Sequence, residues 1–185
     1  MLDIVNLLLF LLPVYVANAA PVLLGGGMAL DLGKKFADGR PMFGNGKTVR
    51  GFIGGVVSGC LIACAFAIFY PLSWFAPAAC GATVFGFIFS LPARQLLGGS
   101  AMALGTLVGD AAGSFFKRRL GIESGKQFIP DTFVFLAFAL LFAYPFVLAS
   151  VYSLENMVFL FGVTIILHPL TNFLANRLGL KKVPW

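Results

Sequence analysis

Six apolar windows, at about residues 4 to 30, 51 to 70, 77 to 93, 97 to 116, 132 to 152 and 156 to 175, take up most of the chain and leave only short connections. An α-helix of ~20 mostly apolar residues is long enough to cross the hydrocarbon core of a bilayer. The pattern therefore predicts an all-α polytopic membrane protein. Only 11% of the 185 residues are charged and 59% are hydrophobic, where an average soluble domain carries roughly 25% charged residues. A water-soluble globule is excluded, and residues 1–185 read as one membrane-embedded domain. Chemistry then has to sit in loops and helix ends.

The first window lacks a basic leader, beginning with Asp3, and outlasts the core of a signal peptide, so it reads as a retained span. Pro13 and Pro21 are expected to bend it, with Asn18 between them. Cys60, Cys64 and Cys80 fall in apolar stretches without neighbouring His or Asp and read as packing residues.

The 13 Lys and Arg are clustered: five between Lys34 and Arg50, four between Lys117 and Lys126, three between Arg177 and Lys182, with Arg94 alone. The positive-inside rule makes these clusters cytoplasmic and places the cation-free connections near 71–77 and 153–156 outside. Six simple crossings would put Lys117-Arg118-Arg119 outside. The Gly-rich window at 97 to 116 is thus expected to be broken or re-entrant, or to share one bent crossing with the window before it. Broken backbone at membrane depth is tolerated where protein or a wet cavity satisfies it. The expectation is five crossings of the cell membrane, with the N-terminus outside and the C-terminus and basic loops cytoplasmic.

Asp110 is the most informative residue, because a carboxylate after a long apolar run costs ~2.5 to 3.5 kcal/mol on insertion scales and needs compensation. An ion pair with Lys117 is one solution; ligation of a divalent cation with a second carboxylate is the other. Asp131 opens the next span at a matching depth. Ser114, Lys117 and Arg118 follow Asp110 at i+4, i+7 and i+8, so a continuous helix puts all four near one face, the carboxylate deepest and the cations at the mouth. Upstream, the run Gly44-Asn45-Gly46-Lys47-Thr48-Val49-Arg50 is not a P-loop: Pro41 stands where its first glycine belongs and no strand precedes it. It still offers pliable glycine backbone, the Asn45 amide, the charges of Lys47 and Arg50 and the Thr48 hydroxyl, at a helix start that favours anions. A capped cytoplasmic turn is the plainer alternative. Asp31 ends an apolar run, Asp38 and Arg40 read as loop charges, and His168 reads as a hydrogen-bonded packing residue.

Gly-Asp-x3-Ser-x2-Lys-Arg followed by a short loop and an Asp at the head of a span resembles the signature of the CDP-diacylglycerol synthases. With the fuller runs GRPMFGNGKTVRGF and GDAAGSFFKRRLGI, the whole chain looks most similar to the archaeal CDP-archaeol synthases. That resemblance implies Mg²⁺-dependent transfer of CMP from CTP to 2,3-bis-O-geranylgeranyl-glycerol 1-phosphate, with release of pyrophosphate. It also implies Asp110 and Asp131 as metal ligands and catalytic residues together with Lys117. Lys47, Thr48, Ser114, Lys117 and Arg118 are then CTP-phosphate contacts, with Asn45 and Arg50 in the same upstream motif. The implied partners are CTP, an isoprenoid ether lipid phosphate and membrane lipid, with no nucleic-acid polymer. Two departures stand out. The Pro-Gly-His-Gly-Gly of the bacterial signature is missing before Asp131, and its second Asp falls on Val134, leaving that role unfilled or supplied by Asp31 or Asp38.

A small ion-coupled transporter, with Asp110 as coupling carboxylate in a broken helix, is the competing class. It does not account for two basic motifs on one membrane face. A CDP-alcohol phosphotransferase is disfavoured because its Asp-Gly-x2-Ala-Arg and Asp-x3-Asp constellation is absent.

Overall fold

The computed structural model describes residues 4–69, 92–123, 126 and 130–181. They form helices α1 (Ile4–Phe10), α2 (Leu12–Leu24), α3 (Val49–Phe69), α4 (Pro92–Arg119), α5 (Pro130–Ala143) and α6 (Leu154–Arg177), with a 3₁₀ turn at Ala149–Tyr152. Among the described residues, Ile4–Leu24, Val49–Phe69 and Leu154–Arg177 are each long and apolar enough to cross a membrane. The window expected at 77 to 93 lies, up to residue 91, outside the described residues, as does Cys80.

The first apolar rod breaks at Leu11 into α1 and α2, two residues before Pro13, whose ring cannot donate to the carbonyl one turn back. Pro21 likewise leaves the Ala17 carbonyl without its intrahelical donor. Gly55 of α3 packs against that oxygen, where a Cβ would stand only 2.7 Å away. Proline and glycine thus cooperate to bring two backbones together.

Helix α3 has an inside-out pattern: Gly51, Gly55, Gly59 and Ala63 are buried, while Ile53, Val57, Leu61 and Ile68 are exposed. Lipid is as good a solvent for leucine as a core is, so helices in membranes associate through small residues that permit close packing. The small face lies in the groove between α2 and α4. Leu107 of α4 meets Gly55, and Ala63 would touch a Cβ on Gly99 at 2.6 Å, so α3 and α4 run antiparallel.

The Gly-rich segment is not broken. Residues Pro92–Arg119 form one 28-residue α-helix, and the interruption expected at 97 to 116 is corrected to an unbroken helix; the other expectation, one bent crossing shared with the window before it, falls largely outside the described residues. Its glycines serve contact instead. Gly105 abuts the backbone of Phe138 and Ala139, Gly109 that of Val134 and Phe135, and Gly113 the Asp131 carboxylate. Spaced by four, they form a seam along which α5 lies antiparallel. Glycine costs ~1 kcal/mol in a water-exposed helix; here the lost propensity is offset by close approach, and there is no water to compete for the helical hydrogen bonds.

The main apolar core joins Leu7, Phe10, Leu11 and Val14 to Met102, Phe135, Leu136, Ala139, Leu140, Val151 and Leu160. Helix α5 has 14 residues and is followed by turns up to Tyr152, whose hydroxyl donates to the Leu140 carbonyl at 2.7 Å. Helix α6 then returns: Tyr15 and Thr164 share a hydroxyl hydrogen bond of 3.0 Å, and the His168 ring lies 5.1 Å from that of Phe135. The ends of α2, α4 and α6 and the starts of α3 and α5 therefore collect at one end of the bundle.

Candidate active site

The segment between α2 and α3 is shaped by Asp31. Its carboxylate accepts the backbone N–H of Gly33, Phe43 and Gly44, each at 3.0 Å, folding residues 31–44 into a closed loop. Gly44 takes the left-handed region at φ 87°, and a Cβ there would press on the Arg118 guanidinium at 3.4 Å. Burial acts to raise the Asp31 pKa, but the hydrogen bonds from Phe43, Gly44, Gly33 and its own amide outweigh it, and the net shift is downward. A lowered carboxylate contributes stability above its ordinary pKa of 3.8 and loses it as pH falls through the native value. Asp31→Asn is expected to cost roughly 2–3 kcal/mol at neutral pH. Thermal midpoints of wild type and variant should draw together as pH falls below 3.8 toward the lowered native pKa; a gap unchanged by pH would refute the charge's part in it.

A second clamp ties this loop to the end of α4. Arg40 donates to the carbonyls of Arg118 and Arg119 at 3.1 and 2.7 Å, occupying acceptors that a helix C-terminus leaves open. In return Arg119 donates to the Pro41 carbonyl at 2.6 Å and pairs with Asp38 at 3.0 Å. Its guanidinium contacts the edge-to-face pair of Phe36 and Phe115, 4.9 and 4.7 Å from their centroids.

Held this way, the loop delivers Lys47 to Asp110, and the two form a direct ion pair. Asp131 is paired with Lys117 at 2.8 Å, and the same ammonium donates to the Lys126 carbonyl at 2.9 Å. The local i+7 pairing of Asp110 with Lys117 is thus replaced by two pairs linking different elements. The carboxylates share one electrostatic neighbourhood, and Gly113, one turn beyond Asp110, makes room for Asp131: a Cβ there would stand 2.9 Å from Oδ1.

Beside these pairs opens a cleft of about 290 Å³, walled by Pro21, Gly25 and Gly26 at the end of α2, by Asn45–Thr48, and by Leu107, Asp110 and Ala111 of α4. Thr48 caps α3: its hydroxyl oxygen accepts the N–H of Gly51 at 3.1 Å and of Gly26 at 3.2 Å. Both lone pairs are engaged and the O–H remains a donor toward the cleft, so capping and ligand contact are compatible. Asn45, Gly46, Lys47, Thr48 and Asp110 meet here as the motifs led one to expect.

Other candidates lie elsewhere. Arg50 is exposed, packed by its stem on Gly27, and is not among the cleft residues. Ser114, Lys117 and Arg118 are all buried, which corrects the picture of cations at an open mouth. Arg118 donates to the Ile122 carbonyl and braces Gly44, while its buried Nε has no hydrogen-bond partner. Val134 lies against Gly109. Asp31 and Asp38, the stand-ins for its missing carboxylate, are committed to the loop amides and to Arg119. His168 is hydrogen-bonded, as expected of a packing residue. The sequence reading assigned no role to Gly113 or to Lys181; glycine at i+3 from an intramembrane carboxylate is a signal for the former.

No cluster of three His, Cys, Asp or Glu able to hold a metal occurs among the described residues. Mg²⁺ seldom requires one, since it commonly takes one or two carboxylates and completes its shell with water and substrate phosphates. Asp110 and Asp131 fit that donor set, and the buried Asp131 Oδ1, which has no hydrogen-bond partner, is an acceptor ready to be used.

Comparison with known proteins bears on this geometry. The family model described as "CarS-like: CDP-archaeol synthase" matches residues 1–185. The CDP-archaeol synthase of Methanococcus aeolicus is 40% identical over 184 residues, covering 98% of this chain and 97% of the relative. That of Pyrococcus abyssi is 41% identical over 179 residues, 95% of each. A solved structure, "Structural insight into an intramembrane enzyme for archaeal membrane lipids biosynthesis", superposes with a TM-score of 0.71 at 31% identity, covering 92% of this chain and 94% of that one. An apolar helix bundle whose cleft at one end holds the Lys47–Asp110 pair, built like that enzyme, defines a membrane-embedded nucleotidyltransferase. The chain belongs to the CDP-archaeol synthase family.

Proposed function

We propose that the chain transfers CMP from CTP to 2,3-bis-O-geranylgeranyl-glycerol 1-phosphate, giving the CDP-lipid and pyrophosphate, with Asp110 and Asp131 holding Mg²⁺. The carrying observation is that two carboxylates from adjoining antiparallel helices are each paired with a lysine, and that one of these pairs, Lys47 with Asp110, lines a cleft together with Asn45, Gly46 and Thr48. The orientation that suits this reading puts the site, the basic loops and the C-terminus at the cytoplasmic face, where CTP is available, and the N-terminus outside.

The cleft takes the triphosphate. Asn45, the Gly46 backbone and the Thr48 hydroxyl orient its oxygens, and Lys47 neutralises them, exchanging part of its contact with Asp110 for phosphate. Lys117 pairs with Asp131 and holds it in place; Ser114 and Arg118 back the phosphate region from beneath the loop. A bound Mg²⁺ adds Lewis-acid neutralisation and a template for the phosphates. An oxygen of the lipid phosphate, anionic at neutral pH, bonds to the α-phosphorus of CTP while the α–β bridging P–O bond breaks. The electron pair leaves with pyrophosphate, so no strong general base is required. Positioning and charge neutralisation supply most of the rate.

Purified protein with α-³²P-labelled CTP, Mg²⁺ and the acceptor should yield labelled CDP-lipid and equimolar pyrophosphate. Absence of product from folded protein would reject the reading, and acceptor-independent CTP breakdown would point to a different transfer.

A further inference from the structure

The C-terminal end of α6 carries polar residues that none of the site motifs includes. After Arg177 the helix stops in a Schellman turn. Gly179, at φ 72°, donates its N–H to the Asn176 carbonyl at 3.0 Å, and Leu180 donates to that of Ala175 at 2.9 Å. The chain is thereby reversed onto its own helix. The Asn176 side chain pins the Lys181 carbonyl at 2.8 Å, and the Lys181 ammonium donates to Asn172 Oδ1 at 3.0 Å. Since an ammonium only donates, Asn172 Nδ2 must face the other way, donating to His168 Nε2 at 3.2 Å. That leaves His168 Nδ1 to donate to the Thr132 hydroxyl at 2.9 Å. Three hydrogen bonds thus tether Lys181 to the residue that follows Asp131.

From this line we infer that Lys181 is a binding residue for the phosphate of the lipid acceptor, with Asn172 as its positioning residue. The inference rests on the cytidylyl-transfer reading above. The nucleotide cleft is bounded by α2, α3 and α4, whereas Lys181 is held on the α6 side and linked through Asn172 and His168 to Thr132 of α5, within the field of Asp110. That side is the lipid-facing one: Ile165, Ile166, Leu170 and Phe173 of α6 are exposed. An acceptor with two isoprenoid tails must reach the site laterally, keeping the tails in hydrocarbon and the phosphate at the interface. A lysine whose stem lies along a membrane helix and whose ammonium reaches inward suits that path. One of the ammonium's three donors is taken by Asn172, and the others can serve phosphate oxygens. Its half-buried setting places it in the field of the same charges. Burial, then Lys47, lowers its pKa, Asp110 opposes them and Lys117 adds to the lowering. An incoming dianion relieves that repulsion.

The test uses the full-length protein in lipid nanodiscs, with the tritiated acceptor as probe in CTP-free binding and both substrates varied in steady state. Lys181→Met, which keeps the stem and removes the charge, should weaken acceptor binding and raise the acceptor KM at least tenfold, leaving the KM for CTP within twofold. Lys181→Arg should recover most of the affinity. Asn172→Leu should shift the acceptor KM in the same direction without changing the KM for CTP. Acceptor binding unchanged in Lys181→Met, or a shift confined to CTP, overturns the assignment. A wild-type protein that binds acceptor but forms no CDP-lipid would instead sink the cytidylyl-transfer reading.

Discussion

Asp110→Asn and Asp131→Asn are each expected to lower kcat by roughly 10³-fold or more, the several kcal/mol that a correctly held divalent ion supplies. Each change preserves shape and removes one negative charge. The lysine partner, Lys47 or Lys117, is left facing a neutral amide and can no longer hold it as an ion pair. Both carboxylates keep 24% side-chain exposure and neither belongs to the apolar core, so the variants should fold. The measurement is CDP-lipid formation from labelled CTP, paired with a thermal midpoint for each purified variant. A folded Asp110→Asn or Asp131→Asn enzyme within tenfold of wild type would remove that residue from the metal site. The same pair separates an enzyme from an ion-coupled carrier, which would release no CDP-lipid before or after the change.

Gly113→Ala is expected to reduce kcat about 10²-fold, the order associated with a displacement of ~1 Å at a reacting centre. The added methyl would stand 2.9 Å from Asp131 Oδ1, which must move while the two backbones stay apart as before. Stability should therefore change little, since alanine also favours the helix by ~1 kcal/mol over glycine. Higher Mg²⁺ should restore part of the rate if the displaced carboxylate has weakened the metal. Wild-type kcat in this variant, or a loss traced entirely to unfolding in a thermal melt, would show that Gly113 does not set the carboxylate's position.

Much of the site was legible because its parts occur in short, chemically distinctive runs. Asp110 was conspicuous after a long apolar stretch, Asp131 at the head of the next span, and Lys47-Thr48 between two glycines. Pairing was not legible. The helix repeat suggested Asp110 with Lys117, whereas the fold brings Lys47 across from another loop and gives Lys117 to Asp131. Burial of Lys117 and Arg118 was missed for the same reason, since the residues at the end of a helix do not say what loop will cover them. Asp31 looked like a spare carboxylate and proves to be the organiser of that loop, a role defined by amides up to 13 positions away. The glycines of α4 misled in an instructive way. Crossing parity and the basic run after it marked this glycine-rich window as the place for a break, but at a helix–helix seam its glycines are points of closest approach.

The amino-acid sequence alone determined that this is a membrane-embedded helical protein and which side chains carry charge into it, because apolar length and the cost of a buried carboxylate are local quantities. Tertiary structure alone decided which lysine meets which aspartate, how the α4 glycines are used, and that the chain turns back after α6 to bond Lys181 to Asn172. The first two outcomes depend on contacts between residues tens of positions apart. No periodicity along one helix encodes the distance between two.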